Sequence, residues 1–384
     1  MKKHIVATKS LTYNPARNFA QLPFEQFEVQ KKVDLFKFPD YLYFKLFNKS
    51  HSFFPYFFQD FGLNKCEIAH FFNAVSLNNR PWFTTFEYYL PRWDEANGAF
   101  DLKSTYSQLV LKRLAHPSCK NLIAMSEFAK NAQTDVLSRC NAQLAQAILP
   151  KIEVIHPSQK LIIKNLAEKT TSPDFISFTI VGAAFFRKGG KEILRVFDRL
   201  LQKNYPIRLN IISKLEYGDY ASKTDKQDLI DAQKVMAKHA KNIFLFGSLH
   251  NAQVMEILKA TDITLLPSYE ESYGYSVLEG QACGSPAITT NGTAFGEINN
   301  AQIGWLIDAP LGEHNRTAPK TDKQRQELSQ TIEAQLEEII IKIVHDRAQI
   351  AVKAQKCLQK IDEQHNVATQ TQRIESLYRK ALNG

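Results

Sequence analysis

From Ile176 onwards, short apolar runs alternate with longer amphipathic stretches. ISFTIVG (176–182), IRLNIIS (207–213), IFLFGS (243–248), ITLLPS (263–268) and PAITT (286–290) are short and mostly aliphatic. Runs of that length bounded by turn residues are consistent with strands buried on both faces. Between them come Gly189-Gly190 with a helical pattern through Leu201, and a charged helical pattern around 225–240. Strands alternating with helices at this spacing predict βαβ units and a doubly wound parallel sheet.

The first half is less regular. HIVATK (4–9), EIAHFF (67–72), WFTTFE (82–87), NLIAMS (121–126) and IEVIHP (152–157) read as strands, so an α/β fold is expected here too. SEFAKNAQTDVLSR (126–139) sets Ser126 as N-cap before a helical pattern. The aromatic-rich FFPYFFQDFG (53–62) is expected to be core beneath a loop. AEKTTSPD (167–174) is polar, ends in Ser-Pro, and reads as a linker. The tail from about 322 to 383 is helical, with EAQLEEIIIKIVHDRAQI strongly periodic.

Composition adds bounds. With 384 residues, two domains are expected: 1–170 and 171–360, followed by a terminal helix over 361–384. At 44% hydrophobic and 23% charged, the chain reads as soluble and globular. It lacks any run of 18 apolar residues, and MKKHIVATKS does not read as a signal peptide. Five scattered cysteines without metal-ligand spacing point to free thiols in a reducing cytoplasm, and no metal site is expected.

The net charge of +9 is unevenly spread. Residues 1–172 hold 22 Lys+Arg against 14 Asp+Glu, a balance of +8; the remaining 212 hold 26 against 25, a balance of +1. A basic first half suits an anionic membrane surface or a phosphorylated substrate, or is simply a solvated face. Nucleic acid is not expected, because no recognition motif accompanies the charge.

The chemistry concentrates in PSYEESYGYSVLEGQACGSP (267–286). In a doubly wound sheet, ligands sit beyond the carboxyl ends of the strands. ITLLPS ends there, so Tyr269–Gly274 is loop at the crevice and the next helix follows from Ser276. Glu271 can accept hydrogen bonds from sugar hydroxyls. Glu279, on the helix, can reach a vicinal diol such as a ribose. Gly274 permits close backbone approach, and the first helical turn offers N–H groups to a phosphate. Two carboxylates so separated can hold two polyhydroxylated rings joined by a diphosphate.

This stretch resembles the E-x7-E signature of retaining glycosyltransferases with the GT-B fold, family 4 in particular. The apolar strand, Pro-Ser, Glu, aromatic-Gly, second Glu and Cys-Gly-x-Pro stand in order. NGTAFGEINNAQIGWLI resembles the family's Gly-rich loop with its Glu (Glu297) and return strand, and FLFGSLHNAQVMEILKATDITLLPS its strand-Gly loop and helix. The resemblance implies two Rossmann-like domains facing a central cleft, with the C-terminal helices packing back towards the first. It implies transfer of a sugar from a nucleotide-diphosphate sugar, needing no cofactor or metal, to a glycan or lipid-linked acceptor. A surface polysaccharide or lipopolysaccharide pathway follows from the same likeness, on the inner face of the membrane with peripheral attachment.

The resemblance assigns Lys188 to the leaving phosphate, in GAAFFRKGG (182–190). The family's arginine position is Ala183 here; Arg187 either stands in or is a surface arginine. Gly247 and Ser248 are expected near the nucleobase, with Ser272, Tyr273, Gly274, Tyr275, Ser276, Ser213 and Lys214 also on the donor side. The family's strand-end His is Glu87 in this chain, an acceptor-activating base, a sugar ligand, or a partner of Arg92. His70 and Asn73 read as core. Only Gly62 and Gly98 precede Gly182, so the family's first Gly-rich loop is absent. A catalytically silent glycan- or nucleotide-binding protein of the same fold is the alternative.

Overall fold

The computed structural model describes residues 3–47, 54–92 and 101–383, so Phe53 and Gly98 lie outside the described residues. The chain forms two compact units, residues 1–158 with 365–384, and residues 159–364.

The second unit is built on six parallel strands: β9 (Ile176–Val181), β10 (Ile207–Ile212), β11 (Ile243–Leu245), β12 (Ile263–Leu266), β13 (Ala287–Thr290) and β14 (Trp305–Ile307). Numbering follows the whole chain. Their order is β11-β10-β9-β12-β13-β14, so the sheet winds outward in both directions from β9. The central strands are buried nearly throughout, which is why they read as continuous apolar runs. At the edge, β11 stops at Leu245, three residues short of the expected span, and Leu245 and Phe246 are exposed. The helix Asp322–His345 buries Leu328, Ile332, Leu336, Ile340 and Ile343, a stripe at helical spacing, into the core that also holds Ile193, Phe197 and Leu200 of the helix Gly190–Gln202.

The first unit carries a second six-stranded parallel sheet, ordered β2-β1-β4-β6-β7-β8. Its strands are β1 (His4–Thr8), β2 (Phe27–Lys31), β4 (Ile68–Phe72), β6 (Trp82–Phe86), β7 (Cys119–Ala124) and β8 (Ile152–Val154). A short parallel pair, β3 (Phe57–Phe58) and β5 (Val75–Ser76), stands apart. The edge strand β2 escaped sequence reading because FEVQK mixes polar and apolar residues and buries only Phe27. Ser126 caps the helix Glu127–Ser138, its Oγ accepting the Ala129 N–H at 3.0 Å. In the aromatic segment Phe57 and Phe58 are core, whereas Phe61 faces solvent.

The first unit ends at Ser158, not near 170, because Ile162 N–H and Lys169 bind the second unit. Ile162 N–H donates to Ala282 O at 3.0 Å, and Lys169 Nζ donates to Thr261 O and Cys283 O at 2.7 and 3.0 Å. Burial pushes the Lys169 ammonium down to about 8. The polar look of this linker therefore concealed a segment bonded into the sheet.

The tail is three helices, Asp322–His345, Ala348–Gln364 and Val367–Asn383. The last belongs to the first unit, where Tyr378 is fully buried and its hydroxyl lies 2.6 Å from His70 Nδ1. His70 Nε2 lies 2.8 Å from Thr85 Oγ1, and its ring stacks on Phe19 at 3.7 Å between centroids. Burial drives the His70 pKa well below its ordinary value, so the ring is neutral. His70 is thus the satisfied core histidine expected from sequence. We predict that Tyr378→Ala costs about 3–5 kcal/mol, and Tyr378→Phe only about 1–2 kcal/mol, in denaturant unfolding.

Candidate active site

The order of the second sheet reverses at β9, which pairs with β10 on one side and β12 on the other. The loops leaving β9 and β12 therefore start side by side beyond the carboxyl ends of their strands, the place where open α/β sheets take ligands. Both sequence motifs lie on these loops.

The β9 loop opens at Gly182, whose φ is +142°. A Cβ there would stand 2.4 Å from Lys188 Cε, so only glycine lets the lysine stem run back across the strand end. Lys188 Nζ then lies 2.5 Å from Glu271 Oε2 on the β12 loop, both side chains largely buried. Two further bonds stitch the loops. Arg187 Nη1 donates to Glu270 O at 2.8 Å, and the Tyr269 N–H donates to Arg187 O at 2.9 Å.

The electrostatics follow from this geometry. Burial works against ionisation of Glu271, but the Lys188 charge and hydrogen bond, the Arg187 charge and the Ser272 N–H outweigh it. The Glu271 carboxyl is held below its ordinary range. Glu271 is therefore an anion at neutral pH, able to accept hydrogen bonds from hydroxyls. Two cationic side chains, Lys188 and Arg187, stand beside it.

The loop rests on polar supports. Tyr269 OH donates to Glu192 Oε1 at 2.8 Å, and Ser329 Oγ donates to the same oxygen at 2.7 Å. Thr317 Oγ1 donates to Tyr269 O at 2.6 Å, and Thr293 Oγ1 to Glu271 O at 2.7 Å. A cavity of about 370 Å³ is lined by Tyr269 together with Glu192, Arg195 and Arg325; Lys188 and Glu271 are not among its walls.

Two residues of this neighbourhood were not singled out from sequence. Glu270 is buried and pairs through Oε1 with Arg316, while its carbonyl receives Arg187. Its place beside Glu271 was the available clue. Arg316, in the segment after β14, carries no motif, and only folding brings it here.

The remaining candidates are scattered in role. Gly274, at φ +94°, is the N-cap of the helix Tyr275–Ala282, and its own Cβ would collide with Phe295. Tyr275, Ser272 and Ser276 are half-buried, and Tyr273 is fully buried. Glu279 sits in the second turn, 5% exposed, with Asn251 Nδ2 3.5 Å from its Oε1. Gly247, at φ +64°, and the exposed Ser248 form the turn between β11 and the helix Asn251–Lys259. Ser213 is buried, its hydroxyl donating to Ala183 O and accepting the Leu215 N–H, so it shapes the turn after β10; Lys214 is exposed.

Glu87 lies in the first unit, just past β6. Its Oε1 is 3.3 Å from Arg92 Nη2 and accepts from Asn73 Nδ2 at 3.0 Å. The pairing with Arg92 foreseen as the structural alternative is present. Among the described residues, no group of three or more His, Cys, Asp or Glu is placed to hold a metal ion.

Residues 160–334, just under half of the chain, match the model of the family described as glycosyl transferases group 1. A D-inositol 3-phosphate glycosyltransferase of Rhodococcus jostii is 36% identical over 67 residues, 17% of this chain and 15% of the relative. The capsular polysaccharide biosynthesis glycosyltransferase CapM of Staphylococcus aureus is 26% identical over 145 residues, 37% of this chain and 35% of that one. These matches span well under half of either relative. The crystal structure of Anabaena Alr3699/HepE in complex with UDP-glucose superposes with a TM-score of 0.56 at 12% identity, covering 98% of this chain and 99% of the other. The two doubly wound units are those of the GT-B fold.

Two outcomes test the ion pair. Lys188→Met leaves a buried carboxylate unpaired and should cost about 1–3 kcal/mol. In a double-mutant cycle with Glu271→Gln, the coupling should be about 1–3 kcal/mol, read from denaturant midpoints. Because the folded pKa of Glu271 is depressed, its contribution is present above the ordinary value of 4.5 and is lost as pH falls through the folded pKa. Glu271→Gln should therefore be less stable than the parent at pH 7, with the gap closing in acid.

Proposed function

From the match of residues 160–334 to the group 1 glycosyl transferase model, we propose that the chain moves a sugar from a nucleotide-diphosphate sugar to a glycan or lipid-linked acceptor, retaining its anomeric configuration without a metal ion. The observation that carries this reading is the Lys188–Glu271 pair at the strand-order reversal, with Arg187 beside it.

The chemistry suits this pair. As the glycosidic bond to the diphosphate breaks, positive charge develops on the sugar and negative charge on the departing phosphate. Lys188 and Arg187 supply fixed positive charge to the phosphate, in a site where no reorganisation is needed at the moment of reaction. Arg187 fills the role of the arginine absent at Ala183. The Glu271 carboxylate accepts from sugar hydroxyls, and Glu279 from the ribose diol. The first turn of the helix Tyr275–Ala282 adds N–H donors.

The likeness to CapM supports an acceptor in surface-glycan assembly, polysaccharide or lipopolysaccharide, on the cytoplasmic side. The UDP-glucose named with Alr3699/HepE makes uridine nucleotides the first donors to test. Ala183 and the Glu87–Arg92 pair favour the second reading, a catalytically silent nucleotide-binding protein.

A thermal-shift screen against UDP, GDP and ADP identifies the base, since a bound nucleotide at 100 times its Kd stabilises the fold by about 2.7 kcal/mol. The matching nucleotide sugar should then release free nucleotide slowly without acceptor. Glu271→Ala should lower that release by about 10²–10³. Nucleotide binding without turnover of any donor, with or without glycan acceptors, selects the silent protein.

A further inference from the structure

The helix Lys37–Phe47 in the first unit, KFPDYLYFKLF, has no buried side chain. Phe38, Tyr41, Leu42, Phe44, Leu46 and Phe47 are all exposed, Leu46 by 74%. They occupy almost every direction around the helix axis, interrupted only by Lys37, Asp40 and Lys45. A helix this apolar all round is normally buried. Among the described residues, none buries these side chains.

The apolar surface continues beyond the helix. Phe61 and Leu63 are 77% and 70% exposed, and Val33 faces solvent as well. Hydrogen bonds join these segments. The Leu35 N–H donates to Gln59 O at 2.9 Å, the Val33 N–H donates to Asn64 Oδ1 at 3.2 Å, and Asn64 Nδ2 returns a bond to Val33 O at 2.7 Å. Phe61 is held at φ +47°, a conformation unfavourable for an aromatic residue. The turn is clamped from below by Asp60, which accepts from the Gly62 N–H and Asn64 Nδ2 and pairs with Arg80 at 3.1 Å. A strained backbone thus presents an aromatic ring to solvent, where it contributes nothing to the core.

The exposed charges around this surface are mainly basic. Lys31, Lys37, Lys45 and Lys65 are exposed against the exposed Glu67 and the half-buried Asp40, whereas Asp34 and Asp60 are buried and ion-paired with Lys9 and Arg80. A large apolar patch marks an interaction surface. Apolar and aromatic side chains edged by lysines match the interface of a bilayer whose headgroups are anionic.

We propose that the helix Lys37–Phe47 and the Phe61–Leu63 turn form a docking surface for an anionic lipid membrane. The apolar side chains enter the headgroup–acyl boundary and the lysines face the lipid phosphates. The surface lies wholly in the first unit and needs neither donor nor acceptor, so docking and sugar transfer stand or fall separately.

Vesicle flotation of the full chain tests this, with phosphatidylglycerol–phosphatidylcholine vesicles compared with phosphatidylcholine alone. Binding to the anionic vesicles at low salt is expected, weakening as salt screens the lysines. Leu42→Gln with Leu46→Gln should weaken it at least about tenfold, and Lys45→Glu with Lys65→Glu should remove the preference for anionic lipid. Phe61→Gly separates docking from folding, because it deletes the ring while relieving the backbone. Vesicle affinity should fall while the unfolding midpoint stays level or rises. Absence of binding at low salt overturns the proposal, as does binding undiminished in these variants. So does a dimer in sedimentation velocity that Leu42→Gln with Leu46→Gln dissociates, because a second copy is then the occupant.

Discussion

The candidate site depends on one ion pair, Lys188 with Glu271, closed across the two loops that leave neighbouring strands at the reversal of the second sheet. Neither loop makes the site alone. The β9 loop brings two cations but no carboxylate, and the β12 loop brings the carboxylate without a counter-charge. Parallel pairing of β9 with β12 sets their separation, and Gly182 permits the lysine to fold back across it. A side chain at position 182 would collide with the lysine stem, so the pair depends on an absent Cβ as much as on its charges.

The pair holds two opposing demands together. Burial disfavours both charges, yet the proposed donor, an activated sugar with a diphosphate, needs a hydrogen-bond acceptor at one end and positive charge at the other. Keeping Lys188 against Glu271 satisfies both groups while the site is empty. Arg187 adds a second cation whose guanidinium is anchored to the Glu270 backbone, so its position is set before a ligand arrives. The polar supports under Tyr269 belong to the same design, since they fix the loop that carries the carboxylate.

The second unit was legible because its strands are buried on both faces and read as uninterrupted apolar runs. The first was less so. Its edge strand Phe27–Lys31 buries one face only, and its aromatic segment divides between core at Phe57 and Phe58 and solvent at Phe61. The structure pairs Glu271, which its place beyond an apolar strand had singled out, with Lys188, which the family resemblance had assigned. Arg316 was not legible, because its contact with Glu270 joins segments 46 residues apart with no local pattern. The burial of Tyr273 and Ser213 was not legible either, because sequence proximity to a site residue does not reveal which way a side chain turns. The linker reading of 167–174 failed at Lys169, since a lysine that caps buried carbonyls looks in sequence like a solvated one.

In the proposed reaction Lys188 meets the diphosphate of the donor. Calorimetric titration of the stabilising nucleoside diphosphate, and of its nucleoside without phosphate, into the parent and Lys188→Ala tests it most directly. The diphosphate should bind the parent much more tightly than the nucleoside does, with most of that advantage gone in the variant and nucleoside affinity unchanged. An equal diphosphate advantage in both proteins would exclude that contact.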